Sequence, residues 1–161
     1  MNIIGFNISW FGLVFLGNSF IPIAALFLCF HFYFEIKNKR EFLYLLIVCS
    51  IGILLDSLLQ YLNFFVFQEA DHIPFWLMIL WACFATTLCH SFKFIGSSLW
   101  LQFAAGFVAP FSYFAGSKFS AVQFSNSLLF TYGVLTTLWI LFFVVFFKLK
   151  SIYVDKENSH V

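Results

Sequence analysis

The segment WACFATTLCHSFKF, in the middle of the chain, carries two threonines, a histidine and a serine, namely Thr86, Thr87, His90 and Ser91. At about 100° per residue, Thr86, Thr87 and His90 fall on one helix stripe together with Cys83. We expect this stripe to face protein. The opposite face is predicted to contact lipid, and it carries Leu77, Trp81, Leu88 and Phe92.

An imidazole allows three functional interpretations of His90: a proton shuttle, a general base or a metal ligand. A metal site needs three or four converging ligands. The further candidates are Cys29, His31 and Cys83, whose spacing matches no metal-binding pattern. The sequence therefore predicts no metal and no cofactor. The structural interpretation, which we favour, is a hydrogen bond between His90 and a neighbouring helix.

Asp56 lies well inside a long apolar segment. An ionised carboxylate at the centre of a membrane helix costs about 2.5–3.5 kcal/mol. We therefore expect Asp56 to be hydrogen-bonded, protonated or next to a water-filled cavity. It is either a proton-relay or substrate-binding group or a structural tie between helices, and the sequence does not choose between them.

Two further helices are predicted to carry a polar stripe made of small and hydrogen-bonding residues, as the interior of a helical bundle requires. The first stripe comprises Cys49, Gly52, Asp56, Gln60 and Asn63, and the second Gln102, Gly106, Pro110, Tyr113 and Ser117.

Depth along the helices, at about 1.5 Å per residue, separates these candidates into two polar layers. Asp56 is level with Tyr113 and Tyr132, whose hydroxyls can donate to it. His90 is level with His31 and Gln102. A direct pair between Asp56 and His90 is not expected.

The elements that must position these residues follow from composition. The chain has 161 residues, of which 63% are hydrophobic and only 9% charged, whereas soluble domains carry roughly 25% charged residues. The mean hydropathy is +0.98. The apolar stretches therefore predict an all-α, polytopic transmembrane helical bundle. The six predicted segments are Ile3–Leu16 (a short one), Phe20–Ile36, Phe42–Phe65, Pro74–Ile95, Leu99–Gly116 and Ser127–Phe147.

The basic residues predict the orientation of this bundle. With both termini cytoplasmic, seven lysine and arginine residues fall inside and only Lys118 falls outside, with the acidic loop containing Glu69 and Asp71. Residues 1–147 are then one transmembrane domain and 148–161 a polar cytoplasmic tail. The net charge of +1, without a basic cluster, predicts no nucleic-acid partner.

Three stretches, GILLDSLL, PFWLMILWACFATTLCHS and APFSYFAG, together resemble the DUF2878 family of small bacterial inner-membrane proteins. The resemblance covers nearly the whole chain, with Cys89 where Asn and Ala109 where Gly is expected. It implies a multi-pass protein of the bacterial inner membrane and no established activity. The matching residues are Gly52, Asp56, Ser57, Pro74, Trp76, Trp81, Phe84, Thr86, Thr87, His90, Ser91, Pro110, Tyr113 and Gly116.

Three functions fit these observations. The first is a non-catalytic accessory, scaffold or lipid-binding protein for a membrane-lipid or envelope system, with membrane lipids, a lipid-modifying enzyme or a second copy of the chain as partner. The second is a small proton-linked transporter or channel that uses Asp56 and His90. The third is an intramembrane enzyme acting on a lipid, with His90 as base, assisted by Asp56 or Thr87.

Overall fold

The computed structural model describes residues 3–36, 38–67 and 72–155, and these fold into helices joined by short connections. The loop residues Glu69 and Asp71, the basic Lys37 and residues 156–161 lie outside the described residues. The helices are α1 (Ile3–Leu16), α2 (Ile21–Phe34), α3 (Lys39–Tyr61), α4 (Phe75–Cys89), α5 (Leu99–Val108), α6 (Phe111–Lys118) and α7 (Leu128–Lys150). Two short strands, β1 (Phe65–Val66) and β2 (Gln123–Phe124), form an antiparallel pair.

Three helical stretches are long and apolar enough to cross a membrane: Ile3–Phe34, Lys39–Tyr61 and Leu128–Val154. The first reverses direction at Gly17–Phe20, because α1 brings Phe6 towards Phe92 and α2 brings His31 towards His90. Its two legs of 14 residues are each about 21 Å long. The described chain is thus helical, and its long apolar helices are compatible with a membrane protein.

The ends of α3, α4 and α7 meet at one end of the bundle, called here the basic end. Glu41, in the first turn of α3, contacts His90 after α4, and the Tyr44 hydroxyl donates to the Phe146 carbonyl of α7 at 3.1 Å. The described basic residues at this end are Lys39 and Arg40 of α3, Lys93 after α4, and Lys148 and Lys150 of α7. Lys118 lies at the opposite end, where Phe15 contacts Phe119. The predicted segregation of basic residues therefore holds for the described lysines and arginines.

α4 occupies the centre of the bundle, which makes one sequence prediction wrong. Leu77, Trp81 and Leu88 were expected to contact lipid, yet all three are buried, and Trp81 is only 3% exposed. Its neighbours α1, α2 and α3 surround it, and α7 stacks Trp139 on Trp81. A helix that is apolar all round is buried on every face. The polar stripe of α4 therefore marks one of several sides that contact protein.

Several boundaries also differ from the prediction. α4 ends at Cys89, and a 3₁₀ turn, Lys93–Ser97, follows. The predicted fifth segment divides into α5 and α6 at Ala109 and Pro110, because proline lacks the N–H that continues a helix. α7 continues to Lys150, and a wider turn, Ser151–Asp155, buries Val154.

Candidate functional site

The carboxylate of Asp56 is completely buried, with 0% exposure, and each of its oxygens accepts one hydrogen bond. Oδ2 accepts from the indole Nε1 of Trp81 at 2.6 Å. Oδ1 accepts from the Tyr113 hydroxyl at 3.0 Å. The carboxylate therefore ties α3 to α4 and α6. The predicted donor Tyr113 is confirmed, whereas Tyr132 is wrong, since its hydroxyl donates to the Phe107 carbonyl.

Trp81 is the residue that the sequence reasoning missed. A buried indole N–H needs an acceptor, and Asp56 is the acceptor in this fold. The ring also stacks on Trp139, with centroids 5.5 Å apart, and meets Phe84 edge-on at 5.6 Å. The signal for its role was a tryptophan in the middle of an apolar helix.

Gly52 explains how the Trp81 ring reaches α3. A methyl group at Gly52 would lie 2.3 Å from two atoms of the indole, so the flat ring rests directly against the α3 backbone. Asp56 lies one helical turn further along the same face. Gly52 therefore provides the space for the Trp81 ring, and Asp56 provides the acceptor for its N–H.

Thr86 and Thr87 are buried, and their own helix satisfies them. The Thr86 hydroxyl donates to the Cys83 carbonyl at 2.7 Å, and the Thr87 hydroxyl donates to the Phe84 carbonyl at 2.6 Å. This is the bond to the preceding turn that was expected for threonine in an apolar helix.

His90 follows the last turn of α4, at the basic end, with its side chain 33% exposed. Its Nε2 lies 3.0 Å from Oε1 of Glu41, at the start of α3. Its Nδ1 lies 3.9 Å from Oε2 of Glu35, just after α2. The His31 ring is edge-on at 5.1 Å. The expected contact with a neighbouring helix is confirmed, and so is the proximity of His31.

Glu41 is a second residue that the sequence reasoning missed. The Asn38 side chain caps α3 by accepting from the backbone N–H of Glu41 at 2.7 Å. This cap fixes Glu41 in the first helical turn, where its side chain turns to His90. The spacing Asn38-x-x-Glu41 is a sequence signature of a helix start and was the available signal.

The other two candidates are Gln60 and Gln102. Gln60 is half-buried one turn beyond Asp56 on α3. Gln102 is buried, and its amide oxygen has no hydrogen-bond partner among the described residues. Within the described ranges, no hydrogen bond joins Gln102 to His90, and no three metal-ligating side chains converge. Asp56 and His90 thus belong to separate polar groups.

A cavity of about 650 Å³ lies beside the Asp56 group, between α1, α4 and the α5–α6 pair. We call it the groove. Trp81 and Tyr113, the two donors to Asp56, both line it. It extends from Ile95, near the basic end, to Val122, near the opposite end, and its lining is almost entirely carbon. The remaining side chains that define its walls include Phe6, Trp10, Val14, Leu80, Phe84, Ala105, Ala109 and Trp139.

A second cavity, of about 510 Å³, lies at the basic end on another side of α1. His31, Glu35 and His90 line it together with phenylalanine rings. On α1, Gly5 borders this cavity whereas Phe6 and Asn7 border the groove. The two cavities therefore correspond to the two polar layers, one beside each group.

Comparison with known proteins identifies the family of this chain. Neither the curated proteins nor the solved structures that were compared gave a match. The family model described as "Protein of unknown function (DUF2878)" matches residues 1–145, which include Asp56, Trp81, His90 and Tyr113. The chain therefore belongs to the DUF2878 family.

Proposed function

We propose that the protein is a non-catalytic membrane protein that holds a lipid acyl chain in the groove. The carrying observation is the shape and chemistry of the groove, an apolar cavity of about 650 Å³ that follows the bundle axis from Ile95 to Val122. This volume lies within the usual range for ligand pockets. An extended hydrocarbon chain matches such a cavity, because it is long, thin and needs no polar partner.

Exposed residues on the rim of the groove support a lipid as occupant. Phe94, Val108 and Phe111 line the groove and are each more than half exposed. The groove therefore opens sideways from the bundle, and in a membrane this side is occupied by lipid tails. An acyl chain enters from there without crossing water.

The buried carboxylate has a positioning role in this proposal. Trp81 and Tyr113 are walls of the groove, and both donate to Asp56. Asp56 itself lines neither cavity. This dry arrangement favours a structural tie over a proton path, and the separation of the Asp56 and His90 groups does not favour a combined catalytic site.

Photocrosslinking tests this function. The purified protein is placed in phosphatidylcholine vesicles that contain a mid-chain diazirine on one acyl chain, and mass spectrometry locates the adducts. We expect adducts to concentrate on groove residues such as Leu80 and Ala105. Ala105→Phe is expected to remove most of them, because the added ring fills the groove. Val145→Phe is the matched control, because Val145 is exposed on α7 away from the groove.

An even distribution of adducts over all exposed apolar residues, unchanged in Ala105→Phe, would show that lipid only surrounds the bundle. The proposal is supported if adducts on groove residues are lost in the Ala105→Phe protein but retained in the Val145→Phe protein. The same proposal includes a protein partner, which is either a lipid-modifying enzyme or a second copy of the chain. The protein would present its bound lipid to this partner.

The proposed setting is the bacterial cytoplasmic membrane, with six crossings and both termini in the cytoplasm. The basic end supports this orientation, because Lys39, Arg40, Lys93 and Lys148 gather there and positive charge marks the cytoplasmic side.

Cysteine accessibility tests the orientation. In a variant without the four native cysteines, we expect Lys118→Cys to react with a membrane-impermeant maleimide in intact cells. Lys148→Cys is expected to react only after the membrane is opened. Equal labelling of both positions in intact cells would contradict the proposed orientation.

A further inference from the structure

The cavity at the basic end carries different chemistry from the groove, and we propose that it binds an ammonium group, the protonated form of a primary amine. Its lining combines a carboxylate, two imidazoles and aromatic rings, from Glu35, His31, His90, Phe27, Phe30 and Phe34. The inference does not depend on the groove, because the two cavities border α1 on different sides.

The first argument is the hydrogen position on His90. An ionised carboxylate can only accept hydrogen bonds. The 3.0 Å contact between Glu41 Oε1 and His90 Nε2 therefore places a hydrogen on Nε2. In the neutral imidazole, Nδ1 then carries a lone pair. In that form, the contact with Glu41 turns Nδ1 as an acceptor towards Glu35.

The second argument is the gap between Nδ1 and Glu35. Nδ1 and Oε2 of Glu35 are 3.9 Å apart, which is too far for a direct hydrogen bond between them. A nitrogen placed beside both lies within hydrogen-bond distance, about 2.9 Å, of each. An ammonium group carries three donors and no acceptor. It is therefore complementary to this pair of acceptors.

The third argument is the aromatic part of the lining. Phe27, Phe30 and Phe34 lie along one face of α2, three or four residues apart, and all three border the cavity. Aromatic faces attract cations. The carboxylate of Glu35 repels an anion at the same place. The cavity therefore selects a cation even though lysines surround this end of the bundle.

The position of the cavity allows two sources of the amine. Glu35 is 55% exposed and lies just past the end of α2, at the level of a membrane surface. The ammonium group of a phosphatidylethanolamine headgroup reaches this level, and so does a free amine from solution. Both sources present the same donors to Glu35 and His90.

Native mass spectrometry of the purified protein distinguishes these sources. The probes are dioleoylphosphatidylethanolamine and its N-acetyl derivative, which has the same chains but no ammonium group, and propylamine as the free amine. We expect the unmodified protein to retain the ethanolamine lipid about tenfold better than the acetylated lipid, and propylamine to displace it. Propylamine binding without lipid discrimination would support the site with a free amine as its ligand.

Variants connect the binding to the cavity. Glu35→Gln keeps the shape but removes the charge, and should bring the retention ratio of the two lipids close to one. Lys118→Gln removes a charge at the opposite end of the bundle and should leave the ratio unchanged. Phe30→Leu should lower the ratio without abolishing it. Ala105→Phe, which fills the groove, should not affect it.

The proposal is overturned if the unmodified protein neither discriminates between the two lipids nor binds propylamine. It is also overturned if Glu35→Gln and Phe30→Leu both bind like the unmodified protein. If the groove residues gave no acyl adducts, only the proposed function would fail, and the ammonium site would be unaffected. The failures of the two proposals can therefore be told apart.

Discussion

Replacing Asp56 with leucine is expected to destabilise the bundle by about 1–3 kcal/mol for each donor left without an acceptor. The side chain is fully buried, so no water replaces the lost partner of the Trp81 indole or of the Tyr113 hydroxyl. Asp56→Asn is expected to cost less, because its amide oxygen still accepts one of the two bonds. Unfolding in increasing dodecyl sulfate, followed by tryptophan fluorescence, measures the effect.

A matched pair of tyrosine variants separates this bond from a general effect of losing a hydroxyl. Tyr113→Phe leaves one carboxylate oxygen of Asp56 without its donor. Tyr132→Phe removes a bond to a backbone carbonyl on the exposed side and should cost much less. In the double variant Asp56→Leu with Tyr113→Phe, the second change should cost little, because the hydroxyl no longer has an acceptor to lose. Equal losses in Tyr113→Phe and Tyr132→Phe would refute the tie.

The second large effect is expected at Gly52. Alanine there would place its methyl group 2.3 Å from the Trp81 ring. The indole must then leave the α3 backbone, which moves its N–H away from Asp56. Overpacking of this kind costs about 1–3 kcal/mol, and the lost hydrogen bond adds to it. The same dodecyl sulfate titration reports the change.

Gly133 provides the control for this substitution. It lies within α7, and a methyl group added there would meet nothing within 4 Å. Gly133→Ala is expected to be neutral or to stabilise by about 0.5–1 kcal/mol, because alanine is the better helix former. If Gly52→Ala behaved like Gly133→Ala, the Trp81 ring would not rest on Gly52 as described.

Much of this arrangement could be predicted from the sequence, since it depends on local patterns. The long apolar stretches predicted a helical membrane protein, and the spacing of Asp56 and Tyr113 placed them at one depth. Their hydrogen bond is the observed one. The separation of Asp56 from His90 also followed from helix rise alone.

What could not be predicted depends on which helix lies in the centre. Helical periodicity identifies a polar face, but it does not show that the apolar face with Trp81 is also covered by protein. Likewise, no local pattern pairs Glu41 with His90, which lies 49 positions further along the chain. Pairing between distant segments requires the fold.

The contacts that α3 and α4 make with α7 join segments that are synthesised at different times. The Tyr44 hydroxyl donates to a carbonyl 102 residues later in the chain, and Trp81 stacks on Trp139 of α7. During synthesis, the central helix is translated before this last aromatic neighbour. The packing around Trp81 is therefore completed only after α7 has been made. A chain truncated before α7 would contain Asp56, Trp81 and Tyr113 but lack the helix that closes the bundle around them.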